Sequence, residues 1–306
     1  MRGRLKRSSK VLVLVSVLAV LALGIGGFLL RSLSQRIFGV TELVPPPAVS
    51  LKPEVLFPLG PAAVTNTLLS SWLVTLVLMG LFVLAVSPAG KFVRGLKTSV
   101  EFALESLHKL FTEVAGEGGS ALTFSFVFAL FLFIIANAWV TLLPVYGQVV
   151  LDPAGKGEAP VPLLRGAGTD INMSLALALA AGAYVEIHAF AAGGMAYATR
   201  FFPIRTFLQG RVRAGLGETY LATLHNITLA ARVFSFTFRL FGALTAGELL
   251  LAVIPYLTPL VLVVPFYGLE VLLGLLQALV FAGLTLVFLV LSERHKAPSL
   301  ETGALQ

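Results

Sequence analysis

Six long apolar runs dominate the chain: Val11 to Leu30, Thr65 to Val86, Ala121 to Leu143, Ile171 to Ala192, Leu216 to Ile254 and Val263 to Leu291. A helix needs about 20 apolar residues to cross a hydrocarbon core of roughly 30 Å, and the core offers no water to open backbone groups. Runs of this length therefore predict an all-α integral membrane protein with about six transmembrane helices. Charged residues almost vanish inside the runs and collect between them. At 57% hydrophobic and 12% charged over 306 residues, the composition exceeds what a soluble core uses. The net charge of +7 then reflects loop placement, and nucleic acid is not an expected partner. With no cysteine there is neither a disulfide framework nor a thiolate metal site. His108, His188, His225 and His295 show no paired ligand spacing, so no metal or cofactor is expected.

The first ten residues hold Arg2, Arg4, Lys6, Arg7 and Lys10 ahead of the first run. That pattern suits a signal peptide or a spanning anchor, and the length of the run and the lack of a convincing small-x-small site ahead of a clean mature start favour an uncleaved anchor. Residues 1–40 are therefore expected to form a cytoplasmic tail and signal-anchor helix, and 41–306 a polytopic membrane domain. From Arg31 to Pro61 the chain carries Pro45, Pro46, Pro47, Pro53, Pro58 and Pro61, which forbids continuous helix and predicts an extended segment outside the membrane. After the second run, apolar residues from Phe92 to Val114 recur at three and four, including Leu104, Leu107, Leu110 and Phe111. This predicts an amphipathic helix lying at the membrane surface.

Leu216 to Ile254 has no proline over some 38 residues, or roughly 57 Å of helix, so it must tilt or protrude from the membrane. Pro255, Pro259 and Pro265 are expected to turn it into the last span, giving a long C-terminal helical hairpin. Six spans put both termini on one side. Segments 1–10, 87–119, 193–215 and 292–306 carry 15 of the 22 lysines and arginines and the opposite loops carry 5, so both termini are predicted cytoplasmic. No internal repeat is present, which leaves the duplicated architecture of many transporters without support.

The remaining two cations, Arg232 and Arg239, lie inside the long run. An arginine at the centre of a membrane helix costs roughly 2.5 to 3.5 kcal/mol even on lenient insertion scales, so it faces a polar cavity or a partner. Glu218, His225, Arg232 and Arg239 are spaced by seven and share roughly one face, joined by Ser235 four residues before Arg239. Glu248, nine residues beyond Arg239, falls on the opposite side and about 13 Å further along. Counting outward from a turn near Thr258 puts Arg239 level with Gln277 and Glu248 level with Glu270. Two polar paths thus reach the middle from opposite sides, and buried carboxyls on such paths can hold and release protons. The plainer readings are a packing role for a lone glutamate, a headgroup position for His225 and Arg232, and structural roles for His108, His188 and Glu186.

At these residues the chain resembles subunit a of the membrane (Fo) sector of F-type ATP synthases. The resemblance rests on Phe238-Arg239-Leu240-Phe241-Gly242 followed by Ala246-Gly247-Glu248, on Leu276-Gln277-Ala278, on Thr169-Asp170-Ile171-Asn172, and on Asn137 with Leu142-Leu143-Pro144. It covers about residues 60 to 295, so five spans are family-like and the N-terminal anchor is extra. The resemblance implies a non-catalytic stator subunit in which Arg239 faces a ring of c subunits and acts on the ring's carboxylate. Glu248, Glu270 and Gln277 would line an outer half-channel, and Ser235 and His225 an inner one. Arg232, Glu218, Asn137, Asp170 and Asn172 are secondary candidates. The implied partners are the c-ring, peripheral-stalk b subunits, the remaining synthase subunits and lipid, in a bacterial plasma membrane.

Some positions depart from the family pattern. Ala243 stands where many members have asparagine, His225 where a glutamate is common, and Glu248 with Glu270 where a glutamate often pairs with a histidine. Two carboxyls there suggest one shared proton. A secondary transporter using Arg239 to bind an anionic substrate is the competing reading. A membrane enzyme built on His188 and Glu186 lacks any nucleophile or metal spacing, and no phosphate-binding loop is present.

Overall fold

The structure, a computed structural model, describes residues 52–59, 62–86, 98, 101, 104–113, 121–143, 150–151, 161–198, 201, 212–257 and 260–294. The expected N-terminal anchor, most of the basic segments and the C-terminal tail lie outside the described residues. Five helices are long and apolar enough to cross a membrane: α1 (Asn66–Val86), α2 (Ala121–Val140), α3 (Ile171–Ala198), α4 (Val212–Leu257) and α5 (Leu260–Arg294). The chain is an all-α membrane protein whose described spans match five of the six apolar runs.

The helices pack through small residues, as expected where lipid removes the hydrophobic drive between helices and close approach supplies the attraction. Helix α5 packs most extensively on α2, and also against α3 and α4, while α3 lies along α4. Ala178 and Ala181 of α3 and Ala278 and Ala282 of α5 are fully buried beside Val127, Ile134, Leu240, Phe281 and Leu289. At Gly274 an added Cβ would approach the Ala138 Cβ to 2.8 Å, so the α2–α5 crossing depends on the missing side chain. Outward, α1 exposes Trp72, Leu76, Met79 and Val83, a surface that only lipid or a partner can cover.

Element ends differ from the sequence expectation in three places. Helix α4 runs through Pro255 to Leu257, giving 46 residues or about 69 Å, with the one hydrogen bond that Pro255 cannot donate lost only in the last turn. Pro265 likewise lies inside α5. Helix α3 continues to Ala198 past a break at Gly194, whose φ of 56° and ψ of −143° a side chain would resist. The segment 104–113 is helical as expected, with Leu107 and Phe111 buried and Leu110 exposed; the edge of the His108 ring meets Phe124 at 4.6 Å.

The proline-rich segment holds more order than its composition suggests. Strands β1 (Val55–Leu59) and β2 (Ala62–Thr65) form an antiparallel ribbon, with a bulge between Val55 and Phe57. A two-stranded ribbon consists only of edges, and so tolerates Pro58. A second ribbon pairs β3 (Val150–Leu151) with β4 (Val161–Pro162). Asn66, fully buried, joins the two: its Oδ1 accepts from the Glu54 and Thr67 amides at 3.3 and 2.9 Å, and its Nδ2 donates to the Pro162 carbonyl at 3.3 Å. These contacts close the end of the bundle opposite the basic loops.

Candidate functional site

At that closed end, α2, α4, α5 and the 3-10 turn Ala167–Thr169 enclose a cavity of about 380 Å³. Its polar lining includes Asn137, Arg165, Glu248, Tyr267 and Glu270. The two glutamates differ in burial. Glu270 is 6% exposed, whereas the Glu248 side chain is 43% exposed at the mouth. Glu270 Oε2 and Asn137 Oδ1 are buried acceptors with no hydrogen-bond partner among the described residues, and both side chains line this cavity. Room for the Glu270 carboxyl comes from Gly247, where any Cβ would collide with both carboxylate oxygens. Asn137 is held by its Nδ2 donating to the Phe133 carbonyl at 2.8 Å.

Arg165, which no sequence pattern singled out, lines the cavity behind Glu248. Its Nε donates to Glu248 Oε1 at 3.2 Å, so Glu248 is paired with this arginine as well as sharing a cavity with Glu270. Loop contacts have no period, and only the position of Arg165 just before the Thr169-Asp170-Ile171-Asn172 motif could have drawn notice.

Arg239 lies on the other side of α4, half-buried. Its Nη2 donates to Ser235 Oγ at 3.3 Å, and its guanidinium carbon is 5.8 Å from the centre of the Phe236 ring. No carboxylate among the described residues pairs with it. The surface around it is apolar and open, with Phe234 and Phe238 exposed on the same helix. Gln277 is buried beside it, and its Nε2 donates to the Arg239 backbone carbonyl, locking α4 against α5 at that level. Gln277 therefore touches the arginine's backbone and does not line the cavity.

The polar stripe expected along α4 divides. Arg232 turns inward: its Nη1 lies 3.4 Å from Glu186 Oε1, its guanidinium sits 3.9 Å over the Phe288 ring, and Glu186 Oε2 accepts from Tyr197 Oη at 2.5 Å. Heptad spacing drifts by about 20° per repeat on a straight helix, which helps to part Arg232 from Arg239. His225 faces Phe201 and Tyr197 at 5.1 and 6.2 Å, with a buried Nε2 that has no partner among the described residues. Glu218 is exposed near the start of α4. His188 packs its ring against Tyr184 at 4.5 Å.

The remaining candidates stand apart from the cavity lining. Asp170 is buried and caps α3: Oδ1 accepts from the Asn172 amide at 2.9 Å, and Oδ2 from Thr67 Oγ1 at 2.8 Å. The Asn172 side chain is exposed. Among the described residues no group of three or more histidine, aspartate or glutamate side chains could hold a metal ion.

The chemistry available is thus two carboxyls in one small cavity at one end, an unpaired guanidinium on an apolar outer face at mid-helix, and a histidine toward the other end. Comparison with known proteins gives this arrangement a context. The family model described as ATP synthase A chain matches residues 68–290. ATP synthase subunit a of Gloeobacter violaceus is 28% identical over 239 residues, spanning 78% of this chain and 88% of that one.

Proposed function

The chain belongs to the ATP synthase A-chain family, a non-catalytic and proton-translocating component of the membrane sector, and we propose that Arg239 is its gate against a rotating ring. In this reading the ring is built from small c subunits whose carboxylates pass Arg239 in turn. The approaching guanidinium favours the charged form of each carboxylate, prompting proton release, and its fixed charge blocks a direct leak between two offset half-channels. At an effective dielectric near 20 the attraction is about 4 kcal/mol at 4 Å, enough to favour the ionised ring site without locking it.

Glu248 and Glu270 form the outer half-channel, with Asn137 in its wall and Gln277 fixing α5 at the level of the gate. Ser235 and His225 belong to the inner half-channel. Arg232, Glu218, Asp170 and Asn172 serve the scaffold around these paths. Peripheral-stalk b subunits and lipid cover other outer faces, both termini are cytoplasmic, and the membrane is a bacterial plasma membrane.

One observation carries the reading: Arg239 has no carboxylate partner among the described residues and sits on an exposed apolar face, so its counter-charge belongs to another protein. The competing transporter reading needs an anion site at Arg239. The 380 Å³ cavity is not lined by Arg239 and carries two carboxylates that would repel an anion.

The absence of cysteine in the natural sequence makes the direct test clean. A single cysteine at Phe238 or Gly242 is expected to cross-link to cysteines on the ring's outer helix in the intact synthase, and one at Trp72 is not. Cross-linking from Trp72 alone would overturn the proposed face.

A further inference from the structure

Arg165 has no part in the proposal above, yet three separate segments hold it. Its Nε meets Glu248, its Nη1 donates to the Lys52 carbonyl at 3.2 Å, and its amide donates to Ser70 Oγ at 3.0 Å. A lysine has one charged centre and could not reproduce this fork. The Arg165 side chain is 9% exposed against 43% for Glu248, so the cation forms the inner wall and the carboxylate hangs over the mouth. The titratable groups lining the cavity are Arg165, Glu248, Tyr267 and Glu270. Two carboxylates in one small cavity oppose joint ionisation unless a cation offsets one of them.

We infer that Arg165 is a positioning residue of the outer half-channel: it holds Glu248 at the mouth as its counter-charge, leaving Glu270 as the carboxyl that takes and passes the proton. This rests on the proton-path reading proposed above. A hydrated proton entering the mouth forms an O–H bond on the Glu270 carboxylate, the water that carried it returns to the cavity, and the Arg165–Glu248 pair is unchanged. The cavity moves between one net negative charge and none. Without Arg165 it would begin with two, and the first proton would remain shared between the glutamates.

The test is ATP-driven acidification of inverted vesicles carrying the whole synthase, normalised to the amount of this chain in the membrane, across a pH series. Arg165→Gln keeps a hydrogen-bonding group and removes the charge. It is expected to lower the rate about tenfold, the size expected for one charge-assisted contact, and to displace the pH profile upward. Arg165→Lys restores the charge and is expected to keep about half the rate. Arg165→Gln combined with Glu248→Gln should be no slower than Glu248→Gln alone, because Arg165 acts through Glu248.

A wild-type rate and profile for Arg165→Gln, equal loss in the Gln and Lys variants, or multiplied losses in the double variant would each overturn the inference. So would membranes depleted of both Arg165 variants, since Arg165 would then be a folding clamp. Arg239→Ala is run alongside. If it still pumps, the gate reading has failed; if it does not pump and Arg165→Gln behaves as wild type, only the present inference has failed.

Discussion

Arg232 and Arg239 sit two turns apart on one helix and meet opposite surroundings. Arg232 finds Glu186 and the Phe288 ring within its own chain, while Arg239 finds Ser235 and the Phe236 ring but no carboxylate among the described residues. Glu186→Ala is therefore expected to lower the thermal stability of the membrane-embedded chain by about 1.5 to 3 kcal/mol, because Arg232 and Tyr197 both lose a charged acceptor. Pumping per assembled complex should stay near wild type, and a melting curve read beside vesicle acidification separates the two effects. Glu248→Gln should do the reverse, slowing proton transport at unchanged chain content. Much of this was legible in the sequence, because helix arithmetic places Glu248 away from Arg239 and level with Glu270. The inward turn of Arg232 was not, since it depends on where a different helix offers a carboxylate.

Among elements, the α4–α5 hairpin depends on one missing methyl group. Glu270 lies over Gly247, so Gly247→Ala must displace the carboxyl from the cavity or part the helices. The expected outcome is loss of most proton transport with the chain still in the membrane; normal rates would show that Glu270 does not work from this position. Gly194 in α3 makes a different demand, since its positive φ costs a side chain roughly 1 to 2 kcal/mol. The spans were legible because about 20 apolar residues leave no alternative. The two ribbons were not, because Pro58 and Pro162 disguise strands that need no continuous ladder. Arg165 escaped notice for a related reason: its partners at Lys52, Ser70 and Glu248 come together only once the ends of the helices have met.

For the whole molecule, polarity is arranged by end. One end holds the buried Asn66, Asp170 and Glu270 and the cavity, and the helix ends at the other lead into the basic segments of the sequence. In the proposed orientation, with the basic segments inside, the cavity faces outward and both termini are expected in the cytoplasm. A reporter that is active only in the cytoplasm, fused after Gln306, should be active, and an inactive fusion would reverse the assignment of the two paths. Between the ends, Arg239 stands on an outer face with no carboxylate partner among the described residues, and the proposal that its counter-charge lies on another protein turns on that placement. The most direct test is ATP-driven acidification of inverted vesicles whose synthase carries Arg239→Ala, assembled to wild-type levels. The account predicts that pumping disappears. Acidification at the wild-type rate would contradict it.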